Sequence, residues 1–198
     1  MEHAPPAGDG WEACVGLGSN LGDRRAYLAG ALEGLGETPG IRVVGVSSIY
    51  ETEPLGPPQG LYLNAAVRLH TTLSPRALLE RLLEIETEAG RERGPERHAA
   101  RTLDLDLLLY ADRVLREPGL ELPHPRLAER AFVLEPLCDV APRCVHPVLG
   151  VRINELARRV RDSTAVRRLQ PNPQAWGAAS SRRSETPLKR RHDPSGTP

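Results

Sequence analysis

The sequence predicts an α+β fold, a ferredoxin-like βαββαβ sandwich around a central antiparallel sheet, with an extra C-terminal hairpin and helix. Strand-like segments interleave with two helical patterns in the order β, α, β, β, α, β. That order repeats a strand–helix–strand unit, which is the signature of this kind of sandwich. The length of 198 residues suits one domain with tails.

The first strand and the first helix are separated by a glycine-containing loop. Residues 13–17 form a short apolar run, which is typical of a buried strand, and residues 18–22 (G-S-N-L-G) form the predicted loop. Asp23 is the predicted N-cap of the helix, and Gly36 is its predicted end. The apolar positions of the helix recur every three or four residues: Leu28, Ala31, Leu32 and Leu35.

Two strands and a second helix follow. Residues 42–50 are rich in β-branched types and residues 62–70 alternate in polarity, so both segments predict strands. Between them, residues 51–58 contain three prolines, which argues against regular structure there. Ser74 is the predicted N-cap of the second helix and Gly90 its end. One helix face carries Leu78, Leu82, Ile85 and Ala89.

The second half of the chain predicts one long strand and several short elements. Residues 102–110 form the strand, residues 111–113 a turn, and a short partner strand begins at Val114. Residues 123–130 are predicted to be a loop with about one helical turn. A last amphipathic helix is indicated after Gly150 by Ile153, Leu156, Ala157 and Val160.

The apolar pattern bounds one folded domain over residues 12–169. Residues 1–11 predict a flexible lead, and residues 170–198 predict a disordered tail because apolar periodicity stops there. No apolar run reaches the ~20 residues that span a bilayer. Lys plus Arg and Asp plus Glu both number 26, so no basic field favours nucleic acid as a partner. We therefore expect a cytoplasmic protein.

Three cysteines, Cys14, Cys138 and Cys144, form no C-x-x-C pair, and we expect free thiols in a reducing compartment. A zinc site built from Cys138, Cys144 and His146 is conceivable, but its spacing matches no common zinc pattern.

The strongest chemical signal is a pair of aspartates. Asp104 and Asp106 lie two residues apart on the predicted strand, so their side chains point to one face, roughly 6–7 Å apart. Leucines at 103, 105 and 107 fill the other face. Two carboxylates on one surface repel each other unless a cation joins them, and Mg²⁺ binds such oxygens together with phosphate. A solvated strand face is the alternative explanation.

Four arginines lie just upstream of this strand: Arg91, Arg93, Arg97 and Arg101. Guanidinium groups bind phosphates bidentately and stay charged, so the loop predicts a polyphosphate substrate. For Arg93 and Arg97 a solvated basic loop is an equal alternative. Tyr62 and Asn64 also share one strand face, where a ring and an amide suit a flat heteroaromatic ligand; a surface pair is the alternative.

The sequence resembles the 6-hydroxymethyl-7,8-dihydropterin pyrophosphokinase family of the folate pathway. The matching blocks, in family order, are V-G-L-G-S-N-L-G-D at 15–23, S-I-Y-E-T-E-P-L-G at 48–56, Y-L-N-A-A-V at 62–67, G-R at 90–91, R-T-L-D-L-D-L-L-L-Y at 101–110, P-H-P-R at 123–126 and E-R-A-F-V-L at 129–134. The resemblance covers about residues 13–161, and the segment 12–169 would then be the pyrophosphokinase domain.

The resemblance implies transfer of the β,γ-diphosphate of ATP to the dihydropterin, with AMP as the other product. It implies ATP as co-substrate, two Mg²⁺ ions on Asp104 and Asp106, and catalytic roles for these aspartates, Arg91 and Arg101. The positions implied at the pterin are Thr52, Pro54, Leu55, Tyr62, Asn64 and Phe132. The positions implied at the nucleotide are Glu86, Arg91, Arg101, His124 and Arg130. We expect a monomer without nucleic-acid or membrane partners.

The sequence departs from the family pattern at residues 98–100. His-Ala-Ala stands there in place of the Trp-Gly-Pro that family members often carry, so an aromatic lid residue and a stiff proline are absent. A binding-only module with impaired loop closure is therefore an alternative function. A nucleic-acid-binding sheet is a third hypothesis, disfavoured because aromatic residues make up only 4% and the net charge is zero.

Overall fold

The computed structural model describes residues 10–54, 59–91, 100–160 and 166–170. The strands are β1 (Trp11–Ser19), β2 (Ile41–Val46), β3 (Ile49–Thr52), β4 (Tyr62–Thr71), β5 (Asp104–Tyr110), β6 (Leu115–Glu117), β7 (Leu120–Leu122) and β8 (Val166–Gln170). The helices are α1 (Arg24–Glu37), α2 (Pro75–Glu88), α3 (Ala131–Val140) and α4 (Ile153–Val160), and a 3₁₀ turn spans Leu127–Glu129.

The central sheet is antiparallel and has β1 and β4 in its interior. Its hydrogen-bonded order is β5-β1-β4-β3-β8, and β2 also pairs with β4. The register places Gly18 of β1 opposite Asn64 of β4 on one side and opposite Asp104 of β5 on the other. Polar residues from distant parts of the sequence are thereby brought next to one another across three strands.

Helices cover the sheet on both faces because its strands carry apolar side chains alternately on each face. Val15 and Leu17 of β1 pack into a core with the apolar faces of α1 and α2. Cys14, the residue before Val15 in β1, packs on the opposite side of the sheet into a second core with α3 and α4. The two apolar layers hold the sheet between the helices and fix the strand ends that carry the polar residues.

Both predicted helix N-caps are confirmed. The Asp23 carboxylate accepts a hydrogen bond from the Ala26 amide at 3.1 Å, and the Ser74 hydroxyl accepts one from the Ala77 amide at 3.2 Å. The predicted end of the first helix at Gly36 is wrong, because α1 continues to Glu37 and Thr38 is its C-cap.

Several predicted strand boundaries are also wrong. The segment 42–50 is two strands, because the chain breaks regular pairing at Ser47 before β3 begins. Gly18 and Ser19 belong to β1 and not to the following loop, since their partners on β4 extend the ladder to that point. Thr52, expected to lie outside regular structure, is the last residue of β3 and pairs with both β4 and β8.

Two elements are absent from the sequence prediction. Helix α3 has a nearly continuous apolar sequence with Pro136 inside it, so it shows little helical periodicity. Strand β8 is a five-residue element whose one partner strand among the described residues is β3. Strand β6, expected as a partner strand, pairs with β7 in a separate two-stranded sheet.

The predicted lead and tail fall mostly outside the described residues. Trp11, assigned to the lead, is the first residue of β1, and Gln170, assigned to the tail, is the last residue of β8. Within the described ranges, every helix is too short or too polar to traverse a lipid bilayer.

Candidate active site

Asp104 and Asp106 lie on one face of β5, as predicted, and each lines two cavities. The first cavity has a volume of about 390 Å³ and the second a volume of about 470 Å³. Leu103, Leu105 and Leu107 are buried in the core below the aspartates, which fixes the orientation of the strand. The carboxylates therefore stand where two cavities meet on a rigid strand.

The first cavity has walls from β3, β4 and the N-terminal end of α3. Thr52, Tyr62, Asn64 and Phe132 all line it. The Asn64 side-chain amide donates a hydrogen bond to the Thr52 hydroxyl at 2.8 Å, which joins the two neighbouring strands inside the cavity. A Cβ atom on Gly18 would lie 3.6 Å from the Asn64 amide oxygen, an ordinary van der Waals contact, so the glycine leaves this part of the wall without a side chain. A flat apolar ligand with a polar edge fits such a lining.

The second cavity contains a chain of alternating charges. Arg91 donates to the Glu86 carboxylate and, at 2.6 Å, to Oδ1 of Asp104. Arg101 donates to the other carboxylate oxygen of Asp104 at 2.8 Å. Glu86 is 2% exposed and also accepts from the Leu105 amide at 2.7 Å, so helix α2 is tied to the start of β5. The two arginines are held beside the aspartates by these bonds.

Burial and charge shift the pKa values of two neighbouring side chains. Burial, reinforced by the charge of Asp104, raises the pKa of Asp106 above its usual range. Burial lowers the pKa of His124, against the opposing effect of Asp106. His124 lines both cavities, and its Nδ1 accepts a hydrogen bond from the Arg126 amide at 3.2 Å. Asp106 and His124 therefore interact electrostatically across the cavities.

The donor set of β5 fits a hard divalent cation. Asp104 and Asp106 offer carboxylate oxygens at a place where burial, and after it the charge of Asp104, raises the pKa of Asp106. Magnesium is commonly held by one or two protein carboxylates, with water and phosphate oxygens completing its shell. Among the described residues, no cluster of three or more His, Cys, Asp or Glu side chains could hold a metal. The zinc site considered at Cys138 is therefore not formed there.

Asn20 connects two chain segments that flank the site and was not among the predicted site residues. Its side-chain amide donates to the Gln59 side chain at 2.8 Å, and its side-chain oxygen accepts from the Arg101 amide at 2.7 Å. The Asn20 amide also donates to the Arg101 carbonyl at 3.1 Å. The only sequence signal was its place in the loop 18–22, because the partners lie far away in sequence.

The structure groups most of the predicted residues but not all. The predicted residues that line the second cavity are Glu86, Arg91, Arg101, Asp104, Asp106 and His124. Arg130, expected at the nucleotide, lines the first cavity, and Pro54, expected at the pterin, is not among its lining residues. Leu55, Arg93, Arg97 and His98 lie outside the described residues. Arg126 and Glu53 line the first cavity and had not been predicted.

Paired carboxylates beside two arginines, at the junction of two cavities on a ferredoxin-like sheet, define a small-molecule enzyme that acts on phosphate groups. The profile of the family described as 7,8-dihydro-6-hydroxymethylpterin-pyrophosphokinase (HPPK) matches residues 14–142, and the chain belongs to this family. The family, the enzyme class and the sandwich fold predicted from the sequence are thereby confirmed.

Two relatives from bacteria bear the same name, 2-amino-4-hydroxy-6-hydroxymethyldihydropteridine pyrophosphokinase. The protein from Synechocystis sp. is 44% identical over 166 residues, which cover 84% of each chain. The protein from Methylorubrum extorquens is 44% identical over 159 residues, which cover 80% of this chain and 98% of the relative.

A solved structure, wild-type HPPK-DHPS from Plasmodium falciparum, matches with a TM-score of 0.61 over 76% of this chain. The identity is 15%, so this likeness shows the fold alone. This chain spans only 44% of that longer chain.

Proposed function

We propose that this chain transfers the β,γ-diphosphate of ATP to the hydroxymethyl group of 6-hydroxymethyl-7,8-dihydropterin in folate biosynthesis. The observation that carries the proposal is the position of Asp104 and Asp106, which line both cavities and so face both substrates. The names of the 44%-identical relatives support the same substrates. Those names also speak against the binding-only alternative.

The pterin would occupy the first cavity. The rings of Phe132 and Tyr62 offer apolar surface to a flat heterocycle, and Asn64 and Thr52 offer hydrogen-bonding groups to its edge. Asn64 is 6% exposed and already donates one hydrogen bond to Thr52, so an incorrect edge would leave the remaining hydrogen-bonding groups of this buried amide unpaired. This placement explains why a small cavity needs both rings and a fixed amide.

The nucleotide would occupy the second cavity. Arg91 and Arg101 would bind phosphate oxygens, because guanidinium groups present several donors in a fixed plane. Glu86 holds Arg91 by a buried ion pair, and Asp104 holds both arginines. The positive groups therefore lie beside the carboxylates before phosphates arrive, and their bonds to Asp104 would be exchanged for bonds to phosphate when Mg²⁺ takes the Asp104 oxygens.

Asp104 and Asp106 would hold two Mg²⁺ ions, which when bound would neutralise charge on the phosphate oxygens. The hydroxymethyl oxygen attacks the β-phosphorus while the bond from that phosphorus to the α–β bridging oxygen breaks. The electron pair leaves on AMP, and the hydroxyl proton passes to solvent. Arg91 and Arg101 stabilise the charge that moves between the two oxygens. We place this reaction in the cytoplasm, catalysed by a monomer.

The test is product analysis after incubation with ATP, Mg²⁺ and 6-hydroxymethyl-7,8-dihydropterin. AMP, and not ADP, should form in step with the pterin diphosphate, and none should form when the pterin is omitted. Asp104→Asn should abolish most of the turnover, whereas Asp112→Asn, an exposed aspartate on the turn after β5, should not. Intact ATP binding without AMP formation by the wild type would favour the binding-only alternative.

A further inference from the structure

The far end of helix α3 is fastened to strand β3 by one carboxylate. Oδ2 of Asp139 accepts a hydrogen bond from the Ser48 amide at 2.9 Å and another from Arg168 at 3.3 Å. The Tyr50 hydroxyl also donates to this carboxylate. Three groups from β3, β8 and the residue before β3 thus converge on Asp139.

Arg168 extends the same connection to β8. Its guanidinium donates twice to the Ser48 hydroxyl, at 2.7 and 3.0 Å, and lies 5.9 Å from the centre of the Tyr50 ring. Ser48 is 2% exposed and Tyr50 is 5% exposed, so most of this contact is shielded from water. Strand β8, which pairs with β3, is anchored by Arg168 to α3 and to the residue before β3.

These two elements also carry walls of the first cavity. Phe132 is the second residue of α3, about 10 Å along the helix from Asp139. Thr52 is the last residue of β3, about 13 Å along the strand from Ser48. A rotation of α3 about β3 would therefore change the space between Phe132 and Thr52.

We infer that Asp139 is a positioning residue for the pterin: by joining α3 to β3, it sets Phe132 relative to Thr52. The inference rests on the proposed placement of the pterin in the first cavity. Among the described residues, those lining the second cavity come from α2, β5, the β6–β7 hairpin and adjoining loops, and none comes from β3, α3 or β8. Loss of Asp139 should therefore affect the pterin far more than ATP.

The experiment compares steady-state constants of the wild type, Asp139→Ala and Asp139→Asn. In Asp139→Ala the KM for the pterin should rise about tenfold, because a misplaced wall weakens contacts to the bound ring. The KM for ATP should stay within about twofold, because Asp139 and the groups bonded to it do not line the second cavity. Asp139→Asn keeps an oxygen that can accept from the Ser48 amide. Its KM for the pterin should therefore lie between the values of the wild type and Asp139→Ala. Asp112→Ala is the matched control.

A merely structural role predicts a different result. It would lower the melting temperature and the active fraction, and thus kcat, while both KM values stay unchanged. That pattern, or an equal rise of both KM values, would overturn the inference. If Asp139→Ala does not fold, Arg168→Ala, at a half-exposed side chain, must show a smaller shift in the pterin KM alone. A wild type without AMP formation would contradict the proposed function instead.

Discussion

Replacing Glu86 should separate two contributions of one buried carboxylate. Glu86 accepts a hydrogen bond from the Leu105 amide at 2.7 Å and forms an ion pair with Arg91, whose side chain is 14% exposed. Glu86→Ala removes both contacts, and breaking a buried pair costs about 3–5 kcal/mol. Glu86→Gln keeps an oxygen for the amide but loses the charge, and we expect a loss of about 1–3 kcal/mol.

The measurement is urea unfolding followed by circular dichroism, supported by thermal melting. At roughly 2–4 °C per kcal/mol for a chain of this size, Glu86→Ala should melt about 6–20 °C lower. Glu84→Ala is the matched control on the same helix, because Glu84 is 63% exposed and its pair with Arg81 should contribute at most about 1 kcal/mol. A Glu86→Ala variant as stable as this control would refute the reasoning.

Three further outcomes are expected from other parts of the structure. Asn20→Ala should lower kcat by about tenfold or more, measured as AMP formation, because the side chain that joins Gln59 to Arg101 is lost. The free energy of unfolding should fall as pH drops below about 6.5, because burial lowers the pKa of folded His146 and the unfolded chain then binds the proton more readily. His146→Asn should reduce this dependence in urea titrations at several pH values and leave the part that comes from His124, whose pKa burial also lowers. Ala111→Gly should raise the free energy of unfolding by up to about 1 kcal/mol, because Ala111 has φ of +47°.

Each of these outcomes has a control or a result that would contradict it. Asn20→Asp keeps the acceptor for the Arg101 amide, so a loss equal to that of Asn20→Ala would assign the effect to Gln59 instead. A flat stability profile in the wild type would contradict the role of His146. A lower melting temperature in Ala111→Gly would mean that the left-handed turn carries no strain.

The parts of the site that follow from local geometry were predictable. Asp104 and Asp106 share a face because successive strand residues alternate, and the structure places both at the cavities. Tyr62 and Asn64 meet in the first cavity for the same reason. The caps at Asp23 and Ser74 were predictable because a side chain three residues away satisfies the helix N-terminus.

The contacts that hold the site were not predictable in this way. The pairing of Glu86 with the Leu105 amide joins α2 to β5 across 19 residues, and the Asn20 contact with Arg101 spans 81 residues. Neither contact leaves a periodic signal, since periodicity reports only which face of an element is buried. Strand β8 is short and exists through its pairing with β3, so its alternation alone was too weak to identify it.

The sequence by itself determined the family, the α+β class and the strand on which two aspartates share one face, because ordered motifs and side-chain alternation are local properties of the chain. Only the tertiary structure decided that Asp104 is paired with both Arg91 and Arg101, and that Arg130 lies in the first cavity. It also decided that Asp139 joins α3 to β3. These are long-range contacts whose distances depend on how the layers pack, and packing is a property of the whole fold.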